Sequence, residues 1–383
     1  MTTTPAAGSR INSIDIIRGA VMVLMAIDHV RVYAGVPAGG PPAGVFFTRW
    51  VTHFCAPAFV FLAGTSAFLS GQRRTSTELS KYLLTRGAWL VLLELTVIRF
   101  FWTFNVDWAN HMLAGVIWML GWCMILMAGL VRMPVRTVGI VGLVIIFAQQ
   151  LVRLAWGAVP ESAQSSLGWL FQILYQTGNA DLSPLAVLYC LVPWIGVMAA
   201  GYGFGAILLM EKGRRNRLCL RIGLSATALY LVVATAIALG QPAQEGAPPL
   251  LFRILGQQKY PASQLYLLMT LGPPIALSPV LERARGWLAD ALAVVGRVPF
   301  FYYLLHIPLI HLLAIAVSVI RTGAVSPWLF GNHPLAPGPA PDGYRWSLGL
   351  LYLVWLIAVV MLYGASSWYA KRRASLGWVG RYL

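Results

Sequence analysis

Apolar residues fall in ten runs, each near the length a helix needs to cross a bilayer, with short polar stretches between them. The runs are 14–35, 51–70, 83–104, 112–131, 137–155, 185–210, 218–240, 262–281, 298–320 and 347–370. A spanning helix takes about 20 mostly apolar residues. The pattern predicts an all-α polytopic integral membrane protein with about ten transmembrane helices. Residues 1–383 then form a single transmembrane domain, flanked by a short N-terminal tail (1–12) and a basic C-terminal tail (371–383). The first run does not read as a cleaved signal peptide. It is too long, lacks a small-residue cleavage site, and holds Asp28, His29 and Arg31 in its outer part. In the 156–184 connection, Leu167, Leu170, Phe171 and Leu174 recur at i, i+3, i+4 and i+7, which predicts a short amphipathic helix lying in the interface or covering a site. The Pro-rich stretch 334–341 reads as an irregular loop, and no internal repeat is visible.

Composition agrees with a bilayer as the main solvent. The 383 residues are 58% hydrophobic and 10% charged, against about 45–50% and about 25% in soluble domains. Mean hydropathy is +0.72. The net charge of +16 would point to nucleic acid in a soluble protein. Here its distribution along the chain matters more. Twenty of the 28 Lys and Arg fall in one alternating set of loops and seven in the other, with Arg99 inside a run. Lys and Arg concentrate on the cytoplasmic side, so both termini are expected there. Membrane lipid is then the expected surroundings, and nucleic acid is not an expected partner. Cys55, Cys123, Cys190 and Cys219 all sit in or beside apolar runs, so no disulfide framework is expected.

Ionisable groups within spans are costly and mark a site by default. In the first run Asp15 and Arg18, at i and i+3, can pair near the cytoplasmic end. Asp28 and His29 lie roughly 20 Å further along at 1.5 Å per residue. Neighbouring residues point about 100° apart on a helix, so Asp28 is expected to reach Arg31, Arg49 or His53 rather than His29. His53 opens the second run from the outer face and can return close to His29. Two histidines and a carboxylate at one depth are what proton transfer needs. A satisfied polar knot that orients two helices explains the same residues equally well. Glu94 and Arg99, at i and i+5, are expected to find partners on other helices, as a structural ion pair. His306 is placed in the inner half of the ninth run and His311 near its middle, where His311 reads as a structural hydrogen-bonder. No metal site is expected, and no phosphate loop or serine-hydrolase elbow is present.

The run Arg10-Ile-Asn-Ser13-Ile-Asp15-Ile-Ile-Arg18-Gly19 resembles the opening signature of a transmembrane acyltransferase superfamily. That group includes the acyltransferase-3 enzymes and the lysosomal heparan-α-glucosaminide N-acetyltransferase. In acyltransferase-3 proteins an essential histidine follows the signature aspartate by fourteen positions, and here that position is His29. The lysosomal enzyme holds asparagine in that register, and the position of its proposed catalytic histidine is Gly40 here. Further segments resemble bacterial members of the heparan-α-glucosaminide acetyltransferase catalytic-domain family: Arg49-Trp-Val-Thr-His53 through Gly64-Thr-Ser66, Pro193-Trp194-Ile-Gly196-Val-Met198, Lys259-Tyr260-Pro261, Leu271-Gly272-Pro273, and Gly296-Arg297-Val-Pro299 through His306-Ile-Pro308.

The resemblance implies transfer of an acyl group, acetyl in the first instance, from cytoplasmic acyl-CoA to a hydroxyl or amine of an extracytoplasmic acceptor, a sugar by analogy. It also implies a bacterial cytoplasmic (inner) membrane location, acyl-CoA as co-substrate with no bound cofactor, and compatibility with a homodimer. Asp15, Arg18, Arg73 and Arg74 are then expected at the donor side, with His306 along the acyl passage. His29 is the expected base, with His53 and Asp28 orienting it, and Arg49 and Lys259 are expected to meet the acceptor. A proton-coupled secondary transporter relaying through Asp28, His29, Glu94 and Arg99 is the alternative. Transporters pair broken helices in related halves, and only Gly272-Pro273-Pro274 suggests such a break.

Overall fold

A computed structural model describes residues 11–40, 42–178, 182–241, 246–331 and 339–377. His333, most of the Pro-rich stretch (334–338), Arg10 and Arg381 lie outside them. The chain is almost wholly helical. Among the described residues, five helices are long and apolar enough to cross a membrane, and one bent pair, taken as a single span, makes a sixth.

The helices in order begin with α1 (Asn12–Tyr33) and α2 (Ala43–Gly71), which includes a 3-10 turn at Val51–Phe54. α3 (Ser76–Leu93) continues through a π turn at Glu94–Ile98 into α4 (Arg99–Thr103). Strand β1 (Met112–Ala114) leads into α5 (Val116–Leu130). α6 (Val135–Ala148) and α7 (Gln150–Gly157) form the bent pair, at 55°. α8 is Glu161–Leu174 and β2 Leu185–Val187. There follow α9 (Val192–Leu208), α10 (Lys212–Gly240), the short α11 (Leu250–Leu255) and α12 (Gln264–Leu281). The last three are α13 (Trp287–Arg297), α14 (Pro299–Thr322) and α15 (Leu348–Arg372). The predicted amphipathic helix is α8, whose Phe171 is buried and stacks on Trp156 at 4.4 Å.

Two further helices carry ionisable groups within their length. α1 holds Asp15, Arg18, Asp28 and Arg31, and α3 with its continuation holds Glu94 and Arg99. Their burial explains how this is tolerated: Asp15, Arg31, Glu94 and Arg99 are all at most 8% exposed. Polar groups at membrane depth survive where protein rather than lipid surrounds them.

Lipid offers little hydrophobic drive between helices, so close packing through small residues takes its place. α1 crosses α13 at Gly19 and Gly296. A Cβ on Gly19 would lie 1.9 Å from the Leu292 carbonyl oxygen, and one on Gly296 1.9 Å from that of Asp15. α2 and α9 meet likewise at Gly64 and Gly201, and α3 and α5 at Gly87 and Gly121. Two large hydrophobic cores result, beside a small cluster of Ile14, Ile17, Leu62 and Leu208. One unites α1, α14 and α15, and the other centres on α5, α9 and α12. The site lies where they meet.

Four expectations change. The runs 112–131 and 185–210 begin not as helix but as β1 and β2, a parallel two-stranded pair with Leu113, Ala114, Ala186 and Val187 buried. Continuous apolar runs do not separate a buried strand from the helix that follows. α12 runs unbroken through Pro273, Pro274 and Pro279, so the break that would favour a transporter does not form. Among the described residues, Glu94 and Arg99 make no interhelical ion pair. Arg99 instead binds its own connection: the His111, Asn105 and Asp107 carbonyls at 3.0, 2.6 and 2.5 Å, and the Thr103 hydroxyl at 2.9 Å. His306, read from its place in the run as deeper than His29, touches it. The reason is offset: Gly296, before α14 begins, already lies level with Asp15 and Gly19.

Candidate functional site

α1 brings Asp28 and His29 to a cavity of about 360 Å³. Asp28 behaves as the spacing predicts. Its Oδ1 accepts from Arg31 Nε at 2.8 Å, and its Oδ2 accepts from Arg49 Nη1 of α2. Arg31 also donates to the Val36 carbonyl at 2.7 Å, turning the chain out of α1. One carboxylate thus holds two guanidiniums and ties α1 to α2.

His29 faces a different partner. Its Nδ1 lies 2.5 Å from His306 Nε2, with the rings stacked at 4.7 Å between centroids and Trp102 edge-on at 4.9 Å. His306 Nδ1 in turn bonds the Tyr303 carbonyl one turn earlier on α14. A carbonyl only accepts, so His306 Nδ1 carries the hydrogen and, in the neutral ring, its Nε2 is an acceptor. His29 must then donate from Nδ1, which leaves Nε2 as a lone pair. His306 is fully buried while His29 lines the cavity. This tautomer assignment follows from the hydrogen-bond network, and it makes His29 Nε2 the basic atom of the site.

His53 is near but does not line the cavity. Its ring packs edge-on against Tyr266 at 5.5 Å, its carbonyl accepts from the Tyr266 hydroxyl at 2.8 Å, and its Nδ1 has no hydrogen-bond partner among the described residues. The histidine that meets His29 is therefore His306 of α14. Helical spacing within α1 and α2 has no way to reveal that contact.

The rest of the wall mixes cations and aromatic rings. Lys259, 8% exposed, faces the cavity with its Nζ 5.2 Å from the Tyr260 ring centroid and 5.8 Å from that of Tyr189. Its side chain makes no hydrogen bond or ion pair among the described residues. In the same loop, burial alone would raise the Tyr260 phenol, but the Lys259 and Arg49 charges outweigh it and hold the group below its ordinary value. Glu94 forms part of the floor. Its Oε2 accepts from the Ile117 N–H at 3.1 Å, at the N-terminus of α5, where the helix dipole favours a carboxylate. Sequence reasoning read Glu94 as structural and missed that it lines this cavity, because β1 placing α5 beside it leaves no local signal. Thr177 and Gly178, following α8, complete the rim.

A second cavity of about 430 Å³ lies along the same helices and is lined by Arg18, Arg86, Arg297 and Arg373. Arg18 pairs with Asp15 at 3.8 Å as expected, and donates to Ser66 Oγ at 2.9 Å and to the Gly296 carbonyl at 3.2 Å. Asp15 itself is 4% exposed. Arg73 and Arg74 are exposed and do not line this cavity; Arg74 reaches over the Tyr82 ring, which does. Among the described residues no cluster of His, Cys, Asp and Glu could hold a metal ion.

These features define a polytopic helical membrane protein with a histidine-bearing cavity. The family model for heparan-alpha-glucosaminide N-acetyltransferase, catalytic, matches residues 10–239, and the chain belongs to that family. The family and the apolar helices together indicate an integral membrane protein of acetyltransferase type. The match takes in His29, Asp28 and Arg49, whereas Lys259 and His306 follow it in the chain. No curated protein matches the chain.

Proposed function

We propose that the protein is a transmembrane acyltransferase that takes an acetyl group from acyl-CoA on the cytoplasmic side and delivers it to a hydroxyl or amine of an extracytoplasmic acceptor, in the first instance a sugar. The observation that carries this reading is the chain from the Tyr303 carbonyl through His306 to His29, which leaves one basic nitrogen facing a cavity. In this reading ten segments cross the bacterial cytoplasmic membrane, with both termini inside, as the loop charges favour.

The acceptor enters the His29 cavity. Its O–H or N–H proton passes to His29 Nε2 as its oxygen or nitrogen attacks the thioester carbon. The C–S bond breaks, and the CoA thiolate leaves toward the arginine-lined cavity, taking up a proton in turn. His306 accepts from His29 Nδ1 and so stabilises the imidazolium that forms. The arginines suit the phosphates of CoA, which guanidinium groups bind bidentately. Arg31, Arg49 and Lys259 against Asp28 and Glu94 leave the acceptor cavity with an excess of cations, which suits an acceptor bearing an anionic group.

The test is label transfer across the membrane. Proteoliposomes holding glucosamine 6-phosphate receive labelled acetyl-CoA outside, with the arginine-lined face outward. The reading expects label on the enclosed amine with the wild type and none with His29→Ala. Equal labelling by both proteins would overturn it.

A further inference from the structure

The two cavities share three lining residues: Phe59 of α2, Val116 of α5 and Tyr303 of α14. Among the described residues, the two cavities adjoin at that level. On α1 the lining passes from Arg18 and Met22 in the arginine cavity to Met25, Asp28 and His29 in the histidine cavity, at helical spacing on one face. On α2 the lining stripe runs Thr52, Ala56, Phe59, Ala63, Ser66 and Ser70. Beyond Arg49, which opens the stripe, Phe59 is the one large side chain on it, and it stands at the junction. It is only half-buried although it lies inside the bundle, because its ring borders open space on both sides. Opposite it, the Tyr303 ring packs edge-on against His306 at 5.0 Å, so one wall of the partition belongs to the residue whose carbonyl anchors the histidine pair.

We infer that Phe59 is a specificity-determining residue: its ring, closing against Tyr303 and Val116, sets the size of acyl group that passes from the arginine cavity to His29. The inference rests on the acyl-transfer reading and adds to it the residue that selects the donor. A thioester held from the arginine side presents its acyl group to this partition before it reaches His29 Nε2. An acetyl group is the smallest load. Each additional methylene must displace the ring or its neighbours, and in a tight apolar site one methylene is worth roughly 10–200-fold in discrimination. Packed interiors yield little to such insertion.

Two measurements on full-length protein in proteoliposomes test this. The first does not depend on acyl transfer. Cys55 lines the histidine cavity and Ala63 the arginine cavity, on either side of Phe59. With Cys123, Cys190 and Cys219 replaced by Ala, a membrane-impermeant anionic methanethiosulfonate is added to the arginine-lined face. It should modify Ala63→Cys but spare Cys55 while Phe59 or Phe59→Trp is present. In Phe59→Ala or the milder Phe59→Leu it should reach Cys55 as well. Modification of Cys55 at the same rate whatever residue stands at 59 would overturn the partition. So would failure to modify it in both smaller variants while Ala63→Cys reacts.

The second measurement compares CoA release from acetyl-, propionyl- and butyryl-CoA. The wild type should lose about 100-fold or more from acetyl to butyryl, and Phe59→Ala and Phe59→Leu should shrink that ratio to within about tenfold. Phe59→Trp should steepen it. An unchanged ratio in both smaller variants would overturn the inference. If no variant turns over any donor, the acyl-transfer reading fails, and with it the role in donor choice, while thiol access still decides whether Phe59 divides the cavities.

Discussion

His29 and His306 stand 277 residues apart in the chain, yet their Nδ1 and Nε2 atoms lie 2.5 Å apart. The contact exists because α1 and α13 cross backbone to backbone at Gly19 and Gly296, which fixes the register of the following α14 against α1. His306 is then a positioning residue: it holds the tautomer that exposes His29 Nε2. Replacing His306 by Ala should lower kcat by about 10–100-fold, the range found when the partner that orients a metal-bound histidine is removed, with KM for acceptor little changed. His306→Gln keeps an acceptor for His29 Nδ1 and should recover part of the loss. A rise in KM with kcat unchanged would place His306 in binding instead.

The crossing makes its own stability prediction. A Cβ on Gly296 would meet the Asp15 carbonyl at 1.9 Å, backbone that cannot move aside as a side chain would. Gly296→Ala should lower the thermal unfolding temperature in detergent and cost activity through displacement of α14. By contrast, Gly129→Ala adds a Cβ with nothing within 4 Å and should leave both unchanged. Equal tolerance of the two substitutions would contradict the packing described.

Asp28 separates a structural role from a catalytic one. Removing one partner of a buried ion pair costs about 3–5 kcal/mol, and Asp28→Asn leaves both Arg31 and Arg49 without their carboxylate. The expected result is a large loss of thermal stability, with activity falling in step with the folded fraction. A stable Asp28→Asn protein with no activity would instead make Asp28 a direct participant.

Lys259 should act on the acceptor alone. Its ammonium lies over two tyrosine rings with no carboxylate bound among the described residues, so Lys259→Gln should raise KM for an anionic acceptor about tenfold or more. A neutral sugar should be affected far less, and KM for acetyl-CoA should not move. A shift in donor KM would place this cation at the wrong end of the reaction.

The helical class, the pairing of Asp15 with Arg18 and the bonds from Asp28 to Arg31 and Arg49 were all legible in the sequence, because each follows from helical spacing or a short connection. The partner of His29 was not. The spacing pointed to His53, whose connection to α1 is short, whereas the contact comes from α14 through a glycine crossing that no local pattern reports. Glu94 was hidden for a similar reason: it binds the start of α5 only because 112–114 is strand rather than helix. Arg73 and Arg74 show the converse. Charge alone put them with the donor, but they are exposed in the turn after α2, and the cavity lining falls to Arg18, Arg86, Arg297 and Arg373.

The central claim is that His29 Nε2 is the base for acyl transfer. The most direct measurement is CoA release from labelled acetyl-CoA by wild type and by His29→Ala, each shown to be monodisperse with the same unfolding temperature. Loss of a general base costs about 10²–10⁴-fold, so the account expects release by His29→Ala to fall by that amount with donor KM retained. Release at the wild-type rate from folded His29→Ala would contradict it.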